Sequence, residues 1–121
     1  MQLIVLGMHR SGTSAVARLL NMMGAYFAPE GYELLSQVDN PKGFWERKDV
    51  VSLNDEILSL SGASWDQIGS FRPEKIDVTG TVEISSKINT LLLQLDAHRP
   101  WMIKDPRLCL TLPLRRPLVE V

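Results

Sequence analysis

The 121-residue sequence has one cysteine, Cys109, which excludes an internal disulfide and any cysteine-cluster metal site. Its two histidines, His9 and His98, stand far apart and show no metal-ligand spacing. Neither charge sign dominates. Thirteen basic and 14 acidic residues leave a net charge of −1. Nothing therefore draws the chain as a whole towards nucleic acid or an anionic membrane, and anion binding has to come from a local site. No apolar run approaches the ~20 residues of a membrane span. The opening, Met1 to Leu6, is only strand-length and lacks the basic n-region of a signal peptide. These absences lead to the expectation of a cytoplasmic protein with no metal, no nucleic-acid partner and no membrane span.

What is present suits one globular domain over residues 1–121. Hydrophobic residues make up 45% and charged residues 22%. A chain of this size buries roughly two-thirds of its extended surface on folding, enough for a single core. Gln2 to Leu6 is a nearly continuous apolar run, as in a strand buried on both faces of a parallel sheet. From Ser11 to Met23 the period changes to a helical one, with Ala15, Val16, Leu19, Leu20 and Met23 on one stripe and Gly24 as the stop. Residues 25–47 read as a long irregular stretch broken by Pro29, Gly31, Pro41 and Gly43, with enough aromatics to pack on the core. Val50 to Leu60 and Thr81 to Asp96 read as helices, Trp101 to Ile103 as a second strand, and the tail from Leu108 as at best a short helix before an incipient strand. Cys109, Trp101 and the Met22–Met23 pair read as core, and Arg115–Arg116 as a solvated helix end.

Strand, helix-rich crossover and second strand predict an α/β fold with a parallel sheet, in three α/β/α layers. Such sheets bind ligands at the carboxyl ends of their strands. Two polar segments follow strands directly, Gly7–Ser14 and Lys104–Arg107, so both can border one site. The first has the G-x4-G spacing of a phosphate-binding loop between strand and helix. Backbone N–H groups there form a nest for phosphate oxygens, Arg10 offers a cation, and Ser11, Thr13 and Ser14 add hydroxyls. A Walker loop would carry lysine where Thr13 stands. Without it the cation that reaches the β/γ-phosphates of ATP is missing.

The segment Gly7-Met8-His9-Arg10-Ser11-Gly12-Thr13-Ser14 resembles the 5′-phosphosulfate loop of the sulfotransferases that use 3′-phosphoadenosine 5′-phosphosulfate (PAPS). Ile103-Lys104-Asp105-Pro106-Arg107 is similar to that family's second signature, and Asn40 to Glu46 (NPKGFWE) to a Gly-aromatic-aromatic segment between the two. The resemblance implies a P-loop-like nucleotide-binding fold and transfer of a sulfuryl group from PAPS to a hydroxyl or amine, leaving adenosine 3′,5′-bisphosphate (PAP). It implies that His9, Arg10, Ser11, Gly12, Thr13 and Ser14 hold the cofactor, His9 by packing or hydrogen bonding rather than as a base. It places Arg10 and Lys104 on the transferring and leaving oxygens. The cytosolic branch has a histidine where this chain has Pro106, so a carboxylate base is expected, first Glu46 and then Asp105 or Glu30. A carboxylate beside aromatics has its pKa raised by desolvation. The alternative for Glu46 is a surface carboxylate paired with Arg47 or Lys48; for Asp105, a support for Lys104 or Arg107.

The family's 3′-phosphate-binding half lies beyond the second signature and does not appear before Val121. The chain is thus expected to be the C-terminally truncated, N-terminal portion of such a domain, weak or inactive alone. Its acceptor would be a small-molecule, carbohydrate or lipid-linked group touching residues 26–47 and 65–73, and an exposed sheet edge would favour a homo-oligomer. Two other functions fit parts of the pattern. One is a small-molecule kinase using ATP and Mg²⁺, with Asp105 as its only acid; the other is a non-catalytic anion-binding module.

Overall fold

The computed structural model describes residues 2–8, 11–29 and 45–115, with the side chains at 114 and 115 left out. Its parts are a strand β1 (Gln2–Val5), helices α1 (Thr13–Met22), α2 (Lys48–Leu60) and α3 (Val78–Asp96), a strand β2 (Trp101–Lys104) and a helix α4 (Leu108–Arg115). This is a small mixed α/β architecture of four helices and a two-stranded parallel sheet. Single 3₁₀ turns at Ile68–Ser70 and Pro73–Lys75 occupy the stretch between α2 and α3.

The two strands pair in register, Gln2 opposite Trp101 through Val5 opposite Lys104. Parallel strands need a long crossover, and here α1, α2 and α3 supply it. Tyr26 bridges to Trp101 as well, with Tyr26 N–H donating to the Pro100 carbonyl and Met102 N–H to the Tyr26 carbonyl. Alternate residues of a strand direct their polar groups to opposite sides. Tyr26 therefore lies on the edge of β2 away from β1, which makes β2 the central segment.

Alternation of side chains along β2 divides the interior in two. Trp101 and Ile103 join Val50, Leu53 and Ile57 of α2, Ile84, Ile88, Leu91, Leu92 and Leu95 of α3, and Leu108. Met102 faces the other way, into a small cluster with Ala17, Ala25 and Phe27. β1 splits likewise, Ile4 towards the first cluster and Leu3 towards the second. The same alternation sends Lys104 to the α1 side and Asp105 to the α2 side.

Several sequence readings are corrected here. Most of the α1 stripe that reads as core is turned outward, with Ala15, Val16, Leu19 and Met23 exposed, Met23 by 83%, and Met22 exposed beside it. Of that stripe Leu20 alone packs towards the sheet, beside the fully buried Ala17. Cys109 is exposed, not a core residue. α3 begins at Val78, three residues before the apolar pattern does, because Asp77 caps it: its side chain accepts from Gly80 N–H at 2.7 Å. Trp101 is fully buried, as expected. Among the described residues no helix is long and apolar enough to cross a membrane.

Candidate functional site

The loop after β1 is shaped by two glycines for two reasons. A Cβ on Gly7 would run into Thr13 Cγ2 and come within 2.8 Å of Ser11 Oγ, so this residue is small because the loop folds back on itself. Gly12 has open space around it but a φ of +84°, the left-handed region in which an L side chain is strained by about 1 kcal/mol or more. It stands at the N-cap of α1, and no side chain caps that helix start. Ser11 Oγ donates back to the Met8 carbonyl at 2.6 Å, and Thr13 is buried at the first turn. His9 and Arg10, and the carboxylate candidate Glu30, lie outside the described residues, as does most of the Asn40–Glu46 segment.

Three of the residues singled out from sequence meet where this loop reaches the end of β2. Lys104 Nζ lies 3.3 Å from Ser14 Oγ on α1 and donates to Glu46 Oε1 at 2.8 Å. Both members of the ion pair are nearly out of solvent, at 3% and 6% side-chain exposure. Glu46 is thus not a surface carboxylate. Its neighbour Arg47 is occupied elsewhere, forked onto Asp49 at 2.8 and 3.0 Å and donating to the Phe27 carbonyl at 3.2 Å. Trp45, just before it, takes a left-handed φ of 56° and packs its ring on Phe27 at 5.5 Å. A bulky residue in that region is strained, which the aromatic packing offsets.

The electrostatics of Glu46 follow from this position. Burial pushes its carboxyl above the ordinary value of 4.5, the Lys104 hydrogen bond and charge pull it down, and the nearby Asp105 charge adds to the rise; burial prevails. A second cation, Arg107, stands with Nη1 3.9 Å from Glu46 Oε2. Burial works against its charge, but Asp105 and Asp55 overcome that and hold its pKa above the usual arginine value. Nη1 donates to Asp105 Oδ1 at 2.8 Å and Nε to Asp55 Oδ1 at 2.7 Å.

Asp105 does not join Glu46 and Lys104. It turns to the α2 side, fully buried, where Asn54 Nδ2 donates to its Oδ2 at 2.8 Å. It therefore supports Arg107 rather than Lys104. Sequence reasoning missed Asn54 and its partner Thr111, whose Oγ1 donates to Asn54 Oδ1 at 2.9 Å. The signal was available: Val50, Leu53, Asn54 and Ile57 share one buried stripe of α2, and an amide on an apolar stripe implies a buried partner. Beside Arg107, a shallow apolar groove lined by Met8, Trp65, Ile68 and Leu110 opens outward.

Among the described residues, no group of three or more histidine, cysteine or acidic side chains is arranged to hold a metal ion. No protein-family model, curated protein or solved structure matches the chain.

Proposed function

We propose that the chain carries the catalytic corner of a PAPS-dependent sulfotransferase, in a P-loop-like three-layer fold with α1 on one face of the sheet and α2 and α3 on the other. The observation that carries this reading is the convergence of Ser14, Lys104 and Glu46 at the carboxyl end of β2, beside the Gly7–Ser14 loop. The loop fits a phosphosulfate on two counts. Gly7 lets it close tightly, and Gly12 starts α1 without a side-chain cap, so its first-turn N–H groups face the place a phosphate oxygen would take.

When bound, PAPS supplies an electrophilic sulfuryl group and a bisphosphate leaving group. The protein's own residues do the rest by position and charge. Arg10 and the loop amides hold the 5′ end. Glu46, made more basic by burial than an ordinary carboxylate, takes the proton of the acceptor hydroxyl or amine. Once Glu46 is protonated its hold on Lys104 weakens, and the ammonium is released towards the oxygens on which negative charge builds. In this reading the acceptor's apolar portion lies against Met8, Trp65 and Ile68.

The kinase alternative is disfavoured by Asp105. Both of its oxygens are taken by Asn54 and Arg107 inside the core, so the acid that the kinase reading assigns to Mg²⁺ is committed elsewhere. The test is calorimetric titration of the chain with PAP, and separately with ATP plus Mg²⁺, on the wild type and Arg10→Ala, followed by transfer from labelled PAPS. Metal-independent PAP binding, weakened at least about tenfold by the substitution, is expected, since a charge-assisted contact contributes about 1.5–3 kcal/mol. Mg²⁺-dependent ATP binding without PAP binding overturns the proposal in favour of a kinase. PAP binding without transfer leaves a binding module.

A further inference from the structure

Behind the Glu46–Lys104 pair runs a buried polar chain that the transfer reading does not use. Thr111 of α4, Asn54 of α2 and Asp105 after β2 are each wholly out of solvent, although the surrounding core is apolar. Each step has one clear direction. Thr111 Oγ1 donates to Asn54 Oδ1 at 2.9 Å, which leaves the Asn54 amide nitrogen as donor towards Asp105 Oδ2 at 2.8 Å. Asp105 Oδ1 then receives the Arg107 backbone N–H at 3.2 Å and its Nη1 at 2.8 Å. Arg107 Nη1 also stands 3.9 Å from Glu46 Oε2. A buried polar network persists only when every member is satisfied, because a half-satisfied one costs more than an apolar core.

We propose that Asn54, oriented by Thr111, is a positioning residue: by occupying Asp105 Oδ2 it commits Oδ1 to Arg107 and so fixes the guanidinium beside Glu46. Asn54 touches neither Glu46 nor Lys104 through these bonds; it acts through Asp105 and Arg107. The chain thereby ties the packing of α2 against α4 to the charge environment of the carboxylate at the sheet end. Its meaning for catalysis rests on the transfer reading above; its effect on Glu46 does not.

The charged groups that face Glu46 among the described residues are Lys104 of β2 and, from the turn after it, Asp105 and Arg107. If Asp105 loses its anchor, Arg107 is no longer held and swings out on its bond to Asp55, while the Asp105 carboxylate, next to Lys104 in the chain, stays near Glu46. Glu46 then keeps the neighbouring negative charge and has Lys104 as its sole fixed cation. The experiment follows the Glu46 side-chain carboxyl by carbon NMR through a pH titration of the full chain. It compares wild type with Asn54→Ala and Thr111→Val, assigning the resonance with Glu46→Gln. Both variants are expected to raise the Glu46 midpoint, Asn54→Ala by about half a unit or more and Thr111→Val by less, as expected for losing a cation at this range. An unchanged midpoint in a folded variant overturns the proposal. Should Asn54→Ala fail to fold, Thr111→Val, which keeps the volume and removes only the hydroxyl, decides alone. No nucleotide enters this titration, so its outcome is separate from whether the wild type binds PAP.

Discussion

The two faces of the sheet are built on different terms. On the α2–α3 side, a continuous apolar cluster closes over Trp101 and Ile103, and the polar groups inside it are tied to one another. On the α1 side the cluster is small, built on Ala17, Ala25, Phe27 and Met102, and much of the apolar surface of α1 faces solvent. Yet it is the thin side that carries Ser14, Lys104 and the glycine-shaped loop. Stability is concentrated on one face and candidate chemistry on the other, a division in which a loop can adapt to a ligand without disturbing the main core.

If the division is sound, the largest loss comes from the closed side. Trp101→Ala removes a fully buried side chain and its 2.8 Å bond to Asp96, and should destabilise by about 3–5 kcal/mol in urea unfolding. A loss under about 1 kcal/mol would mean that the cluster is not the main source of stability. Next comes the boundary. Lys104→Met strands a buried carboxylate, at a cost on the order of 3 kcal/mol near pH 8. The pH dependence has a definite sign. Burial raises the folded pKa of Glu46 above its ordinary 4.5, so the folded state holds this proton more tightly than the unfolded chain. The stability linked to it is full below 4.5 and is lost as pH rises through the folded value. Without Lys104 that value climbs further, so the defect should shrink towards pH 4.5 and grow above it. A defect equal at pH 4.5 and pH 8 would show that Glu46 is not what Lys104 neutralises. The smallest effect belongs to the open side: Leu19→Gln, on a residue 60% exposed, should shift stability by less than about 0.5 kcal/mol. A larger loss would show that the outer stripe of α1 is covered.

How far the sequence discloses this molecule depends on which signal is local. β1, α2, α3 and β2 stand out because each has a single apolar pattern, and the partners of that pattern share its element or its period. α1 misleads because it carries two stripes, one through Val16, Leu19 and Met23 and one through Leu20 and the small Ala17, and the apolar pattern merges Leu20 with the first. Hydrophobicity favours the first, while the fit of a helix against a strand favours the second. The site is half legible in the same way. Lys104 and Glu46 are recognisable as candidates from their segments, but their 2.8 Å pairing spans 58 positions and no spacing rule contains it. The Thr111–Asn54–Asp105 chain is less accessible still, since it needs α2, α4 and the strand end in place together.

That dependence on distant partners also governs when the molecule can form. β1 leaves the ribosome well before its hydrogen-bonding partner, β2, which follows only after α1, α2 and α3. Pairings of such long sequence separation form late, after most loop-closure entropy has been spent. The nascent chain therefore holds a bare apolar strand while α1, α2 and α3 are being made, and the sheet can zip only when residues 101–104 emerge. During synthesis the earlier strand of the pair stays exposed to non-native contacts, and the later strand is the clasp that ends that exposure.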